Sequence, residues 1–138
     1  MTYKLILYYL ITIVPLITLD AIWLGLIAGR YYRKHLGYIF SDKFNYWVAG
    51  LFYLIYATGL VAFVVEPSLT DRPLRAWWEV AAYGAAFGLT AYAAYNLTNL
   101  ATVRHWSIRM VIIDMIWGTC ATAAVATFAV YLARTFII

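Results

Sequence analysis

Residues 5–28 of the chain read LILYYLITIVPLITLDAIWLGLIA, an apolar run that contains a single charged residue, Asp20. A helix needs about 20 apolar residues to cross the hydrocarbon core of a bilayer, so this run predicts a membrane-spanning helix. Lys4 gives the run the charged start of a signal peptide. The run is longer than the apolar core of such a peptide, and we therefore expect a first helix that is retained.

Three further windows are similarly long and apolar, so the chain has four candidate spans, at about 4–28, 46–65, 78–101 and 108–133. Of the 138 residues, 66% are hydrophobic and 12% are charged, and the mean hydropathy is +0.81, which is far from the composition of soluble proteins. A spanning backbone must satisfy its own hydrogen bonds, and the connections are short. We predict an all-α membrane protein with four transmembrane helices in an up-and-down bundle, forming one domain over residues 1–138.

The basic residues lie between the apolar runs and form no tract that could follow a phosphate backbone, so we predict no nucleic-acid partner. Six of the ten Lys and Arg residues belong to the first and third connections. They are Arg30, Arg33, Lys34, Lys43, Arg104 and Arg109. Because cytoplasmic connections carry an excess of Lys and Arg, this distribution favours cytoplasmic first and third connections and outside termini.

Two of the six tryptophans follow an intramembrane aspartate by three residues. These pairs occur in LDAIWLG (19–25) and IDMIWG (113–118). The other four tryptophans fall at predicted helix ends, where indoles prefer the lipid headgroup region. Trp23 and Trp117 do not fit that belt and therefore call for another explanation.

The two intramembrane aspartates are predicted to lie at the same depth. Asp20 precedes the first basic residue of the first connection by ten residues, and Asp114 follows Arg104 by ten. Asp114 also follows Arg109 by five residues, so at 1.5 Å per residue Asp20 lies about 15 Å and Asp114 about 8–15 Å from the same end of the bundle, at similar depths. Asn96 and Asn99 of the third window also lie close to this end. Three of the four helices therefore place polar side chains in the same half of the membrane.

Side chains three residues apart share a helix face, which groups the polar residues into three stripes. The stripes are Asp20 with Trp23, Asn96 with Asn99, and Asp114 with Trp117. The first and fourth helices are antiparallel in the predicted bundle. We therefore hypothesise that each indole N–H is donated to the carboxyl of the other helix, with the asparagine amides filling the remaining valences.

The sequence leaves the charge state of this cluster open. A carboxylate at this depth costs about 2.5–3.5 kcal/mol, so each should be protonated, paired or hydrated. The two aspartates could share one proton, or Arg109, one turn from Asp114, could compensate one charge. The cluster could also be purely structural, as interhelical polar contacts contribute only about 0.6–2 kcal/mol each.

Short sequence motifs give two further expectations, one for helix packing and one for catalysis and cofactor binding. The sequence GAAFG, Gly84 to Gly88, predicts close approach of the third helix to a neighbour. No catalytic triad order, zinc-binding motif or phosphate-binding loop occurs. We therefore predict no catalytic residues, no cofactor and no metal site.

The motifs LDAIWLG, YNLTNLATVRHW (95–106) and IDMIWG together resemble a bacterial family of predicted four-helix inner-membrane proteins, domain-of-unknown-function family 2177. The likeness spans nearly the whole chain. It implies a small integral protein of the bacterial inner membrane and brings no activity, substrate or cofactor. The resemblance marks the residues that depth and spacing also select, which are Asp20, Trp23, Asn96, Asn99, Asp114 and Trp117.

Three functions are compatible with this pattern. Indole faces attract cations and carboxylates neutralise them. The six residues therefore predict a non-enzymatic protein that binds a proton, a cation or a small amine, and transport of the bound species is an extension of this prediction. The alternative is an accessory subunit of a larger membrane complex, with a structural polar cluster and with lipid, other subunits or a second copy as partners. A lipid-modifying enzyme comes last, because the aspartates have no evident nucleophile or metal partner.

Overall fold

The computed structural model describes residues 2–39 and 43–138, and these residues form helices and connections with no strand among them. Four long helices run in chain order: α1 (Tyr3–Ile39), α2 (Tyr46–Thr70), α3 (Trp77–Thr102) and α4 (Ile108–Phe136). The all-helical class predicted from the sequence is confirmed.

Within the described residues, α1, α2 and α4 are each long and apolar enough to cross a membrane. Helix α3 has 26 residues, which is also long enough, but its asparagines, glycines and tyrosines make it less apolar. It packs along α4, and its Gly84 and Gly88 allow the close approach that GAAFG predicts. A Cβ atom on Gly84 would lie 3.0 Å from the Cα of Ala123, and one on Gly88 would lie 2.6 Å from Oγ1 of Thr122. The four helices form a helical membrane bundle.

Contacts between the connections establish the up-and-down order. Helix α1 packs on α2 and α4, and α3 packs on the same two helices. The hydroxyl of Tyr38, near the end of α1, donates to the carbonyl of Arg104 between α3 and α4, at 2.9 Å. At the opposite end, Arg134 of α4 donates to the carbonyls of Ser68 and Arg75, at 2.9 and 2.7 Å. The first and third connections therefore share one end of the bundle, called the basic end below.

The first helix is longer than the sequence predicted. The predicted first connection began at residue 29, but the helix continues through Leu36, followed by a 3-10 turn. Tyr32 and Leu36, one turn apart, are buried, whereas Arg33 and Lys34 are exposed. This amphipathic pattern extends the helix beyond its purely apolar part, which a search for apolar runs does not detect.

A π-helical segment, Trp23–Ala28, interrupts α1 next to Asp20. In an uninterrupted α-helix, Asp20 and Tyr32 would point about 120° apart, because twelve residues at 100° each exceed three turns by that angle. The π-helical segment accommodates one extra residue, which reduces this angle to about 20°. Both side chains therefore face the interior. The buried residues of α1 follow a four-residue spacing on each side of the segment: Tyr8, Thr12, Leu16 and Asp20, then Ala28, Tyr32 and Leu36.

Two apolar clusters lie above and below the level of the aspartates. The larger cluster, towards the end opposite the basic end, includes Leu60, Val65 and Val130. The smaller cluster, near the basic end, consists of Ala28, Tyr32, Leu36 and Met110. The polar side chains lie between these clusters, where the helices are separated enough to leave a cavity.

Candidate functional site

Asp20 is buried, with 7% of its surface exposed, and both of its carboxylate oxygens accept hydrogen bonds from other helices. The indole Nε1 of Trp117 on α4 donates to Oδ1 at 3.0 Å. The hydroxyl of Tyr53 on α2 donates to Oδ2 at 3.1 Å. Both donors are neutral, so they solvate the carboxyl group without compensating a negative charge.

Asp114 is half-buried and also accepts two hydrogen bonds from neutral donors. The hydroxyl of Tyr32 on α1 donates to Oδ1 at 2.9 Å. The amide Nδ2 of Asn96 on α3 donates to Oδ2 at 2.7 Å and to the carbonyl of Tyr92 at 3.0 Å. Asn96 is 2% exposed, so its amide lies inside the bundle.

The two tryptophans connect the two aspartates. The rings of Trp23 and Trp117 stack with centroids 4.3 Å apart and planes inclined by 4°. Nε1 of Trp23 donates to the hydroxyl of Tyr32 at 3.3 Å, and that hydroxyl in turn donates to Asp114. A continuous polar and aromatic network therefore extends from Asp20 to Asp114.

Of the two hydrogen bonds between an indole and a carboxyl that were hypothesised from the sequence, one is present. Trp117 bonds Asp20 directly, whereas Trp23 reaches Asp114 only through Tyr32, because the helical extension of α1 places that hydroxyl between them. Asn96 bonds a carboxylate as expected. In the described part of the chain, Asn99 donates to neither aspartate and does not line the cavity between them.

In the described residues, no arginine compensates the charge of Asp20 or Asp114. Arg75 forms a salt bridge with Asp71 at 3.0 Å, near the end of the bundle opposite the basic end. Arg109 is exposed and makes no salt bridge with Asp114. Both intramembrane carboxyl groups therefore have neutral partners.

Asp20 and Asp114 line the same cavity, which has a volume of about 480 Å³, is lined by residues of all four helices and is partly open to the outside of the bundle. Leu24 and Ala91 contribute the aliphatic part of its wall. Seven aromatic rings form the rest: Trp23, Phe52, Tyr53, Tyr56, Tyr92, Tyr95 and Trp117. No Lys, Arg or His from the described ranges lines this cavity. Its wall therefore combines two acids with an aromatic cage.

A second, smaller cavity of about 230 Å³ adjoins the first on the side of the basic end. The two cavities share Leu24, Tyr95 and Asp114. The smaller cavity continues towards the basic end along Leu36 and Met110. Asp114 thus borders both cavities, whereas Asp20 borders only the larger one.

The tyrosines of the site were not predicted from the sequence. Tyr32 and Tyr53 donate to the two carboxylates, and the hydroxyl of Tyr56 lies 2.7 Å from Oγ1 of Thr122. Tyr53 and Tyr56 are three residues apart, as are the residues of the aspartate and asparagine stripes. That spacing places Tyr53 and Tyr56 on one face of α2, but the sequence of this apolar helix does not indicate that this face is interior.

Comparison with known proteins identifies a family whose description names no activity. The family model described as "Predicted membrane protein (DUF2177)" matches residues 5–131. No curated protein and no solved structure matches the chain. The match covers most of the chain, including every residue that lines the larger cavity.

Proposed function

Because the chain belongs to the DUF2177 family of predicted membrane proteins, we propose a function that its intramembrane cavity can perform. The protein is a non-catalytic membrane protein that binds a cation between Asp20 and Asp114. The cation is a proton, an inorganic ion or a small amine, and its transport across the bilayer is an extension of the same proposal. The observation that carries the proposal is that both carboxyl groups line one cavity and that, among the described residues, their hydrogen-bond donors are neutral.

Electrostatics supports this proposal. A charged carboxylate inside the membrane is costly, and side-chain hydrogen bonds recover only part of its hydration. Coulomb interactions are stronger in a medium of low dielectric constant, so a positive charge in the cavity is attracted by both acids. Intramembrane acids that face a cavity are typical of ion and proton pathways.

The proposed location combines the charge distribution of the chain with the bacterial inner membrane that the resemblance of its motifs implies. We propose that the protein lies in a bacterial inner membrane with its basic end in the cytoplasm. The excess of Lys and Arg at the basic end supports this orientation. With the basic end in the cytoplasm, the smaller cavity lies on the cytoplasmic side of Asp114.

The test is equilibrium binding of H⁺, Na⁺, K⁺ and methylammonium to the purified full chain in a neutral detergent. Asp20→Asn and Asp114→Asn remove the charge and keep one of the two carboxylate oxygens, so each variant can still accept one of the two hydrogen bonds. We expect at least one cation to bind the wild-type protein and to bind each variant at least tenfold more weakly. The matched control is Asp71→Asn, which removes an exposed carboxylate outside the cavity.

Two results would contradict the proposal. Either no tested cation binds the wild-type protein, or binding is equal in the wild type and both cavity variants. Each result would favour the alternative of an accessory subunit, in which the polar cluster has only a structural role. Size-exclusion profiles of all variants verify that the proteins remain folded.

A further inference from the structure

We propose that the ligand of the larger cavity is an alkyl-substituted ammonium ion. This inference rests on the proposed function and selects one of the three ligand classes that the function leaves open. Three properties of the cavity carry it: its volume, the chemistry of its wall and its opening to the outside of the bundle.

The volume exceeds the needs of a proton or a bare inorganic cation. At about 30 Å³ per water molecule, the cavity of about 480 Å³ corresponds to roughly sixteen waters. This volume is within the range of about 300–1,000 Å³ that is usual for small-molecule sites. A small organic cation fills such a space, whereas a dehydrated metal ion leaves most of the aromatic wall without a contact.

The wall offers few oxygen ligands for a hard cation. Ca²⁺ takes about six to eight oxygen ligands, and Mg²⁺ requires near-octahedral oxygen geometry. In the part of the chain that the structure describes, no group of three or more His, Cys, Asp and Glu residues comes together. The Tyr53 hydroxyl is engaged with Asp20, and the Tyr56 hydroxyl is engaged with Thr122.

An alkylammonium ion matches the remaining groups. Ring faces attract cations that lie within about 6 Å of the ring centroid, and the same faces contact alkyl carbons. A carboxylate has about four lone-pair sites, and two at each of Asp20 and Asp114 are used by neutral donors. The unused sites can accept N–H groups or face a fully substituted nitrogen.

The cavity is also open at its side. Leu24, Phe52 and Tyr95, on three different helices, line the cavity and have exposed fractions of 46%, 47% and 58%. Because these side chains line the cavity and are also exposed, the cavity reaches the outside of the bundle. An alkyl substituent that is too long for the cavity can therefore extend towards the acyl chains.

The test compares a cation with its neutral isostere. Choline and 3,3-dimethylbutan-1-ol have nearly the same shape, but only choline is charged. Isothermal titration calorimetry on the full chain in a maltoside detergent measures both, together with tetraethylammonium, Na⁺ and K⁺. We expect choline and tetraethylammonium to bind at least tenfold more tightly than Na⁺ or K⁺, and the neutral alcohol at least tenfold more weakly than choline.

A pair of variants tests the role of the aromatic wall. Tyr95 lines both cavities, and among the described residues its hydroxyl donates to neither aspartate. Tyr95→Phe keeps the ring, whereas Tyr95→Leu keeps an apolar side chain without it. We expect Tyr95→Leu to bind choline about fivefold more weakly than Tyr95→Phe, which is the usual effect of one partly exposed ring on a cation.

The outcomes separate this inference from the proposed function. If Na⁺ or K⁺ binds in a manner that depends on Asp20 and Asp114 and the organic cations bind more weakly, the inference is wrong and the proposed function stands. If the alcohol binds as tightly as choline, the cavity selects shape and not charge, which overturns the inference. If no cation binds in a manner that depends on these aspartates, both proposals fail.

Discussion

The indole N–H of Trp117 lies 3.0 Å from Oδ1 of Asp20, so one hydrogen bond joins residues 97 positions apart in the chain. It connects the first and last helices of the bundle inside the membrane. The same indole ring stacks on Trp23, which comes from the helix of Asp20. Helices α1 and α4 are thus held together by a polar bond and an aromatic contact at one level.

Trp117→Phe separates these two contacts. Phenylalanine keeps a ring beside Trp23 and removes the N–H donor of Asp20, leaving Tyr53 as the remaining donor described for that carboxyl. We expect the free energy of unfolding to fall by about 1–2 kcal/mol, the usual range for a buried or intramembrane hydrogen bond. Equilibrium unfolding in mixed micelles measures it. Trp47→Phe, at a residue 90% exposed, is the control, and equal stability of the two variants would contradict the role given to the bond.

Asn96 and Asn99 provide a comparison of the same amide on the same helix. Asn96 donates to Asp114 and is 2% exposed, whereas Asn99 is half-buried and donates to neither aspartate in the described structure. We expect Asn96→Leu to lower the free energy of unfolding by about 1–3 kcal/mol, because Asp114 loses a donor. Asn99→Leu should change it by less than about 0.5 kcal/mol. Unfolding curves of both variants measure the two losses of stability. A larger loss in Asn99→Leu than in Asn96→Leu would contradict the role given to Asn96.

Fixed helix geometry explains what the sequence could predict. Each α-helical residue advances 1.5 Å, so counting from the basic residues gave Asp20 and Asp114 a common depth. An aspartate and a tryptophan three residues apart share a face, so Trp117 could be assigned to Asp20 across the antiparallel pair. The hydrogen bond between them is present.

The tyrosine donors depend on features that local sequence does not encode. Tyr32 reaches Asp114 because the π-helical segment Trp23–Ala28 changes the direction in which the side chains at the end of α1 point. No residue pattern in that segment predicts a π-helix. Tyr53 lies on α2, which is apolar on all sides, so its sequence does not indicate which face is interior. Packing against the other helices decides that rotation.

The π-helical segment can be tested through Gly25, which lies inside it, and Gly29, which follows it. A Cβ atom on Gly29 would overlap the backbone carbonyl of Leu24, whereas one on Gly25 meets no atom within 4 Å. Alanine is favoured over glycine in helices by up to about 1 kcal/mol, so we expect Gly25→Ala to leave stability equal or higher. Gly29→Ala should lower it, because the backbone must shift and Tyr32 moves away from Asp114. Unfolding in mixed micelles measures both, and a Gly29→Ala protein as stable as Gly25→Ala would show that the segment is not required.

The smaller cavity predicts access to Asp114 from the basic end. Met110 lies one turn before Asp114, lines this cavity and is 4% exposed. In a Cys120→Ser background, which removes the exposed native thiol, we expect Met110→Cys to react with 2-aminoethyl methanethiosulfonate, because the cavity admits a small reagent. Mass spectrometry of the full chain in detergent measures the rate of modification.

Ala129→Cys is the control for this reaction, because it lies on the same helix, is 0% exposed and belongs to the closely packed larger cluster. The protein interior is packed as densely as an organic crystal, so a reagent cannot reach that position without local opening. We expect the thiol at position 110 to react at least tenfold faster than the thiol at position 129. Equal rates would mean that the reagent enters by general opening of the bundle, and the smaller cavity would then not be a route to Asp114.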